Sequence, residues 1–219
     1  MTFRKRSLVI LGAGGSARET WWFARDLDPE LRVAFVDDVS DVTEVRIADE
    51  RVPVIKDWDF SALRCGDAEV FSDFIVGVAE PAVKRLLVER ALASGLEPAP
   101  TLVHPRTLVR GDCTLGRGGQ IVPHSQLTTN ATLGDFVLVL DTTVGHHDVV
   151  GDYTTFFPGC KVSGDVTVGE DCVLGAGTVV RPGVTLARGT VTGAGSCVVK
   201  DALEPDTTWV GVPARPLGR

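Results

Sequence analysis

Apolar positions in the second half of the chain recur at a fixed step of six. Val144, Val150, Phe156, Val162, Val168, Leu174, Val180, Leu186, Thr192 and Val198 keep that step without a slip. Upstream, Leu115, Ile121, Leu127, Leu133 and Val139 keep it as well, with one residue missing between Val139 and Val144. The position after the aliphatic is often glycine, as at Gly145, Gly151, Gly169, Gly175 and Gly193. A helix repeats at about 3.6 residues and a strand at about 2, so neither accounts for a period of six. A coil with three flat sides does, with one hexapeptide per side and about 18 residues per turn. The pattern therefore predicts a parallel β-helix over roughly residues 113–200. Its aliphatic residues point inward, and small residues occupy the corners, where a Cβ is penalised. The ends of such a solenoid need cover. The first half of the chain can supply one cover. Trp209-Val210-Gly211-Val212-Pro213 can supply the other, or pack on a neighbouring subunit.

The first half alternates strand and helix signals. Ser7–Leu11 reads as a buried strand that stops at Gly12-Ala13-Gly14-Gly15. A helix follows over 16–27, with Ser16 as its N-cap. Strands are expected at 33–36 and 70–76, and an amphipathic helix at 81–92, opened by Pro81 and closed at Gly95. Strand, glycine loop, helix, strand is a βαβ unit, so a parallel sheet is expected. Gly12, Gly14, Gly15 and Ser16 stand between strand and helix, where backbone N–H groups can receive a phosphate. Asp37-Asp38 closes the second strand, where a ribose hydroxyl is read in dinucleotide-binding folds. The same features also describe a tight turn with no ligand. A nicotinamide oxidoreductase would need a second mononucleotide half, for which about 100 residues leave little room.

Composition narrows the classes. Of 219 residues, 44% are apolar and 23% charged, enough for a packed core. A net charge of -7 argues against nucleic acid as a partner. There is no apolar run of membrane-spanning length, and Met1–Leu11 does not read as a secretory leader. Cys65, Cys113, Cys160, Cys172 and Cys197 form no C-x-x-C pair, so neither a disulfide framework nor a zinc site is signalled, and a reducing cytoplasm is the expected location.

The chain has four histidines. His104 precedes Pro105 where the two halves meet and suits a structural role, and His124 carries no signal of its own. His146-His147-Asp148 falls two to four residues past the inward Val144, at an outer edge of the coil. A neutral imidazole there can take a proton from an attacking amine or hydroxyl; two polar residues in a solvated turn are the alternative. If the segment is extended, adjacent imidazoles project oppositely and do not share one metal ion, so no metal is expected.

Taken in order, LVILGAGGSAR, AFVDD, IVGVAEPAVKR, LVHP, GHHDVVGDYTTFFPG, VSGDVTVGEDCVLGAGTVVRPGVTL, GAGSCVVKD and VGVPARP resemble the NeuD/PglD-like sugar O-/N-acetyltransferases along nearly the whole chain. The resemblance implies an α/β Rossmann-like nucleotide-sugar-binding domain over 1–104 and a left-handed β-helix acyltransferase domain over 105–219. It also implies a homotrimer, acetyl-CoA as donor and a nucleotide-linked amino sugar as acceptor. By position His146 resembles the general base. The acid that usually follows it is replaced by His147 and displaced to Asp148, so His147 with Asp148 is the competing assignment. Thr155 stands where the family has a further histidine that contacts acetyl-CoA. Gly164 matches the glycine whose N–H faces the thioester carbonyl. Gly175-Ala176-Gly177 and Gly193-Ala194-Gly195 match turns lining the CoA groove, and Ser16 stands where the nucleotide loop commonly has His. Two variants of this function are a natural-product or other non-nucleotide acceptor, and a non-catalytic trimer that only binds a nucleotide sugar.

Overall fold

The computed structural model describes residues 7–59 and 71–218. Its first part is a six-stranded sheet. The elements are β1 (Ser7–Leu11), α1 (Gly15–Leu27), β2 (Arg32–Val36), β3 (Glu44–Ile47), β4 (Glu50–Ile55), β5 (Asp73–Val76), α2 (Pro81–Ala93) and β6 (Glu97–Pro98), in the order β3-β4-β2-β1-β5-β6. Pairing is parallel except between β3 and β4. All five residues of β1 are buried, which is why its apolar run was legible without alternation.

Three expectations change here. The β3–β4 hairpin was not foreseen; each of its strands is short and charged, with alternate residues exposed. Helix α1 begins at Gly15 with Gly14 as its N-cap, so Ser16 lies inside the first turn and does not cap it. The third expected strand starts at Asp73, and Val70 lies outside the described residues, as does Cys65.

From Leu102–Val103 onward, two-residue strands alternate with corners and stack into three parallel sheets. The coil therefore starts upstream of residue 113, because Val109 and Val103 continue the six-residue step back from Leu115. All ten positions from Val144 to Val198 are buried in the core. Thr208–Gly211 pairs parallel with Val191–Thr192, extending one sheet past the last regular coil, and folds back on Ala214–Pro216. Trp209 packs against the coil core.

From Gly118 to Gly195, the corners are turned by residues at positive φ. These residues form three columns, one per edge of the prism: Gly118, Phe136, Tyr153, Asp171, Gly189; His124, Asp141, Gly159, Gly177, Gly195; and Asn130, His147, Asp165, Gly183. The residue missing between Val139 and Val144 shortens each column by one at a single step, and stacking continues through it (Leu127 beside Val144, Val139 beside Phe156).

Helix α2 docks on the first of these edges. Its buried stripe is Pro81, Lys84, Val88 and Ala91, so a lysine occupies an apolar position of the helix. Lys84 is 2% exposed. Its Nζ donates to Thr155 Oγ1 (2.7 Å), Tyr153 O (3.0 Å) and Phe136 O (3.1 Å). Arg85 lies over the Tyr153 ring at 4.1 Å and bonds Asp171 and Glu170. On the other helix, Thr20 donates to Gln120, whose amide in turn donates to Val76 O. His104 joins Asp26 at 2.8 Å and accepts from the Arg106 N–H, which matches the structural role expected of it.

Burial holds the Lys84 ammonium down to about 7, against the opposing pull of Asp171 and Glu80. Between that value and the ordinary lysine range, the unfolded chain holds a proton that the folded chain does not. Stability therefore rises as pH increases from about 7 toward 10. Urea midpoints measured across this range should climb for the native sequence and flatten for Lys84→Met.

Candidate functional site

The third column carries an exposed corner that brings charged and imidazole side chains beside a glycine. Asn130, His147 and Asp165 sit one above the other at φ 55°, 60° and 61°. Backbone bonds tie the rungs together: His147 N–H to Thr129 O (3.0 Å) and Asp165 N–H to His146 O (2.8 Å). Because His147 is in the left-handed region, its segment is not extended. The two imidazoles therefore do not diverge as an extended segment would require. Their Nδ1 atoms lie 3.1 Å apart, and the rings meet edge-to-face at 5.3 Å between centroids. This corrects the expectation from strand geometry.

His146 lies over Gly164, one coil further on. A Cβ on Gly164 would stand 2.3 Å from the imidazole Cε1 and Nε2. Real contacts of that length do not occur, so the ring's position depends on glycine there. Gly145 makes a similar close approach to the Gly164 backbone.

Asp148 makes no hydrogen bond or ion pair with either imidazole, although it is near enough to His146 to feel its charge. It is buried, its Oδ2 accepting the Gly145 N–H (2.7 Å) and its Oδ1 the Val166 N–H (2.9 Å). Burial pushes its carboxyl up to about 6, with the two backbone bonds pulling the other way. The acid that the fold brings to the histidines is Asp165, 3.7 Å from His146 Nδ1 and 4.0 Å from His147 Nδ1. Sequence spacing held one clue: His147 and Asp165 are 18 residues apart, one full coil. Among the described residues, His146, His147 and Asp165 also form the one cluster whose atoms approach closely enough to surround a metal ion. The Nδ1–Nδ1 separation is that of a hydrogen bond, which accounts for the pair with a single shared proton.

The other candidates lie elsewhere. Thr155 is fully buried beneath α2, accepting from Lys84 and donating to Ala79 O (2.6 Å), so it lines no open groove in this chain. Gly175-Ala176-Gly177 and Gly193-Ala194-Gly195 stack on the second column's edge, with Gly195 N–H bonded to Ala176 O (2.8 Å). Within one chain they occupy a different edge of the prism from His146. In the sheet part, Gly12 turns at φ 97°, and Gly14 and Gly15 face open space at the start of α1. Asp37 is spent on the Ala13, Val39 and Ser40 N–H groups, which hold its carboxyl below the usual range despite partial burial. Asp38 holds the Asp57 N–H, the Trp58 indole and Arg90. Both acids shape the loops around the glycine turn. A cleft of about 610 Å³, lined by Leu108, Arg110, Asp112 and Thr129 among others, lies on the histidine edge, one to two coils before His147. No helix among the described residues is long and apolar enough to cross a membrane.

Residues 149–182 match the bacterial transferase hexapeptide family (six repeats). A GDP-perosamine N-acetyltransferase of Escherichia coli O157:H7 is 28% identical over 183 residues, covering 80% of this chain and 78% of its own. The acetyltransferase domain of PglB from Neisseria gonorrhoeae FA1090, solved with acetyl coenzyme A, superposes with a TM-score of 0.83 at 28% identity, over 97% of this chain and 99% of that one. PerB from Caulobacter crescentus, solved with CoA and GDP-perosamine, gives 0.84 at 28% identity, over 97% of each chain.

Proposed function

Because the chain is a hexapeptide-repeat protein homologous to GDP-perosamine N-acetyltransferase and to the PglB acetyltransferase domain, we propose that it transfers an acetyl group from acetyl-CoA to the amine of a nucleotide-linked sugar. The observation that carries this reading is the His146 imidazole packed on Gly164 at an open corner of the coil. Two relatives similar over most of the chain are named as perosamine N-acetyltransferases, which favours an amine over a hydroxyl acceptor.

In the mechanism we infer, the acceptor nitrogen attacks the thioester carbonyl. His146 Nε2 takes the amine proton, and the Gly164 N–H donates to the developing oxyanion. The tetrahedral intermediate collapses with loss of the CoA thiolate, which receives the proton from His146, leaving an amide and free CoA. No covalent intermediate on the enzyme is needed. Burial pushes the Cys160 and Cys172 thiols up to about 11, which unfits them as nucleophiles at neutral pH.

Residues 1–104 then form a Rossmann-like nucleotide-sugar domain. The open Gly14–Gly15 turn at the start of α1 would receive the phosphates, and residues 105–219 would carry the chemistry. The glycine-rich turns at 175–177 and 193–195 lie on a different edge from His146. A groove that uses both needs the edge of a second subunit, so a homotrimer is part of the proposal. The test offers acetyl-CoA with a panel of GDP-, UDP- and dTDP-linked amino sugars and reads free CoA and product mass. A product heavier by one acetyl group is expected for at least one of them. Nucleotide-sugar binding without CoA release across the panel would replace the enzyme with a binding trimer.

A further inference from the structure

The base assigned above lacks the carboxylate that the resemblance leads one to expect after it, and the structure shows what stands in that place. Asp148 does not fill it: its oxygens accept the Gly145 and Val166 N–H groups, the side chain is buried inside the corner, and it bonds neither imidazole. What touches His146 Nδ1 is His147 Nδ1, at 3.1 Å. Two imidazole nitrogens at that distance share one proton, so one ring donates and the other accepts.

We propose that His147 is the positioning residue of the His146 base, so that an imidazole–imidazole pair, backed by Asp165 and Asn130, replaces an imidazole–carboxylate pair. This rests on the acetyl-transfer reading and on His146 as its base. In the productive state His146 Nδ1–H donates to His147 Nδ1. That fixes the His146 tautomer and leaves its Nε2 lone pair free on the side where the ring packs over Gly164. His147 then carries its own proton on Nε2, 3.3 Å from the Asn130 side-chain amide; the atom placed there is Nδ2, so the productive chain needs that amide turned over to present its oxygen. With the amide oxygen turned to it, the chain of donors runs from His146 through His147 to Asn130. With the amide nitrogen turned to it, the chain reverses and His146 holds its proton on Nε2, where it is no base. When His146 takes the acceptor's proton in the reaction, its charge develops 3.7 Å from the Asp165 carboxylate.

The backbone explains why these residues meet. Asn130, His147 and Asp165 are successive left-handed corner residues of one column, a conformation that Asn, Asp and His adopt more readily than most side chains. Each corner presents its side chain directly above the last, so the relay follows from the stacking of coils.

Steady-state kinetics with the acceptor found in the screen test this. His147→Gly keeps the positive φ without strain and removes the ring. It should lower kcat by at least about tenfold with KM for both substrates unchanged. His147→Asp puts the carboxylate back and should recover most of that loss. A fixed negative charge beside His146 also favours its protonated form, so the acid limb of the kcat/KM profile should move up by about one pH unit. Asn130→Asp fixes an acceptor on His147 and should stay active. A purely structural role would make Gly and Asp equally harmful and leave the profile in place, which overturns the proposal. So would a fully active His147→Gly while His146→Ala is dead, a result that leaves the base assignment standing. Full activity in His146→Ala defeats the underlying reading instead. Loss of activity on chelation, restored by zinc, would replace the shared proton with a metal ion.

Discussion

Replacing His146 with alanine is expected to cut kcat by roughly 10²–10⁴-fold, the usual worth of a general base, while acetyl-CoA binding and folding are kept. The side chain is about half exposed and is not part of the buried apolar core. Its removal leaves the inward column, from Val144 to Val150, untouched. The loss should therefore appear in turnover, with thermal unfolding and CoA titration unchanged. Comparison with His147→Ala locates the base. If His147 abstracts the proton, the larger loss falls there. His146 is favoured because its ring, and not that of His147, is the one packed on Gly164.

The second large effect is expected from a single methyl group. Gly164→Ala places a Cβ 2.3 Å from His146 Cε1 and Nε2. The backbone of Gly164 is not among those at positive φ, so alanine itself is not strained there. The clash must therefore be relieved by the imidazole, which is exposed and free to swing outward. Displacing a catalytic group by about an ångström can cost on the order of 10²-fold. We expect kcat to fall by about that much while the coil stays folded and the far-ultraviolet circular dichroism is unchanged. Gly151→Ala is a useful contrast. Its Cβ would meet the backbone of Gly169 and Glu170, which cannot move away, so the cost should appear in stability.

The same contrast separates what was legible in the sequence from what was not. The inward column was legible because a buried position in a coil admits one kind of residue, and the coil repeats it every six. Even the one-residue deletion before Val144 could be seen, and the stack absorbs it. Strand β1, with five buried residues, was legible for the same reason. The β3–β4 hairpin was not, because a short edge pair with alternating exposed charges leaves little apolar signal.

By itself, then, the sequence determined the period, the inward face and the βαβ start, and singled out the His146-His147 corner as the candidate site. Burial imposes those patterns residue by residue along the chain. Only the tertiary structure decided which acid meets which imidazole. Asp148 is adjacent in sequence, yet the turn aims it at two backbone N–H groups. Asp165 is a coil away, and stacking brings it to the histidines. The structure also decided that Lys84 and Thr155 belong to the joint beneath α2, where a charged residue in the buried stripe of the helix meets coil carbonyls. Both outcomes depend on how coils and elements stack, and that geometry is set by contacts between residues 17 to 71 positions apart.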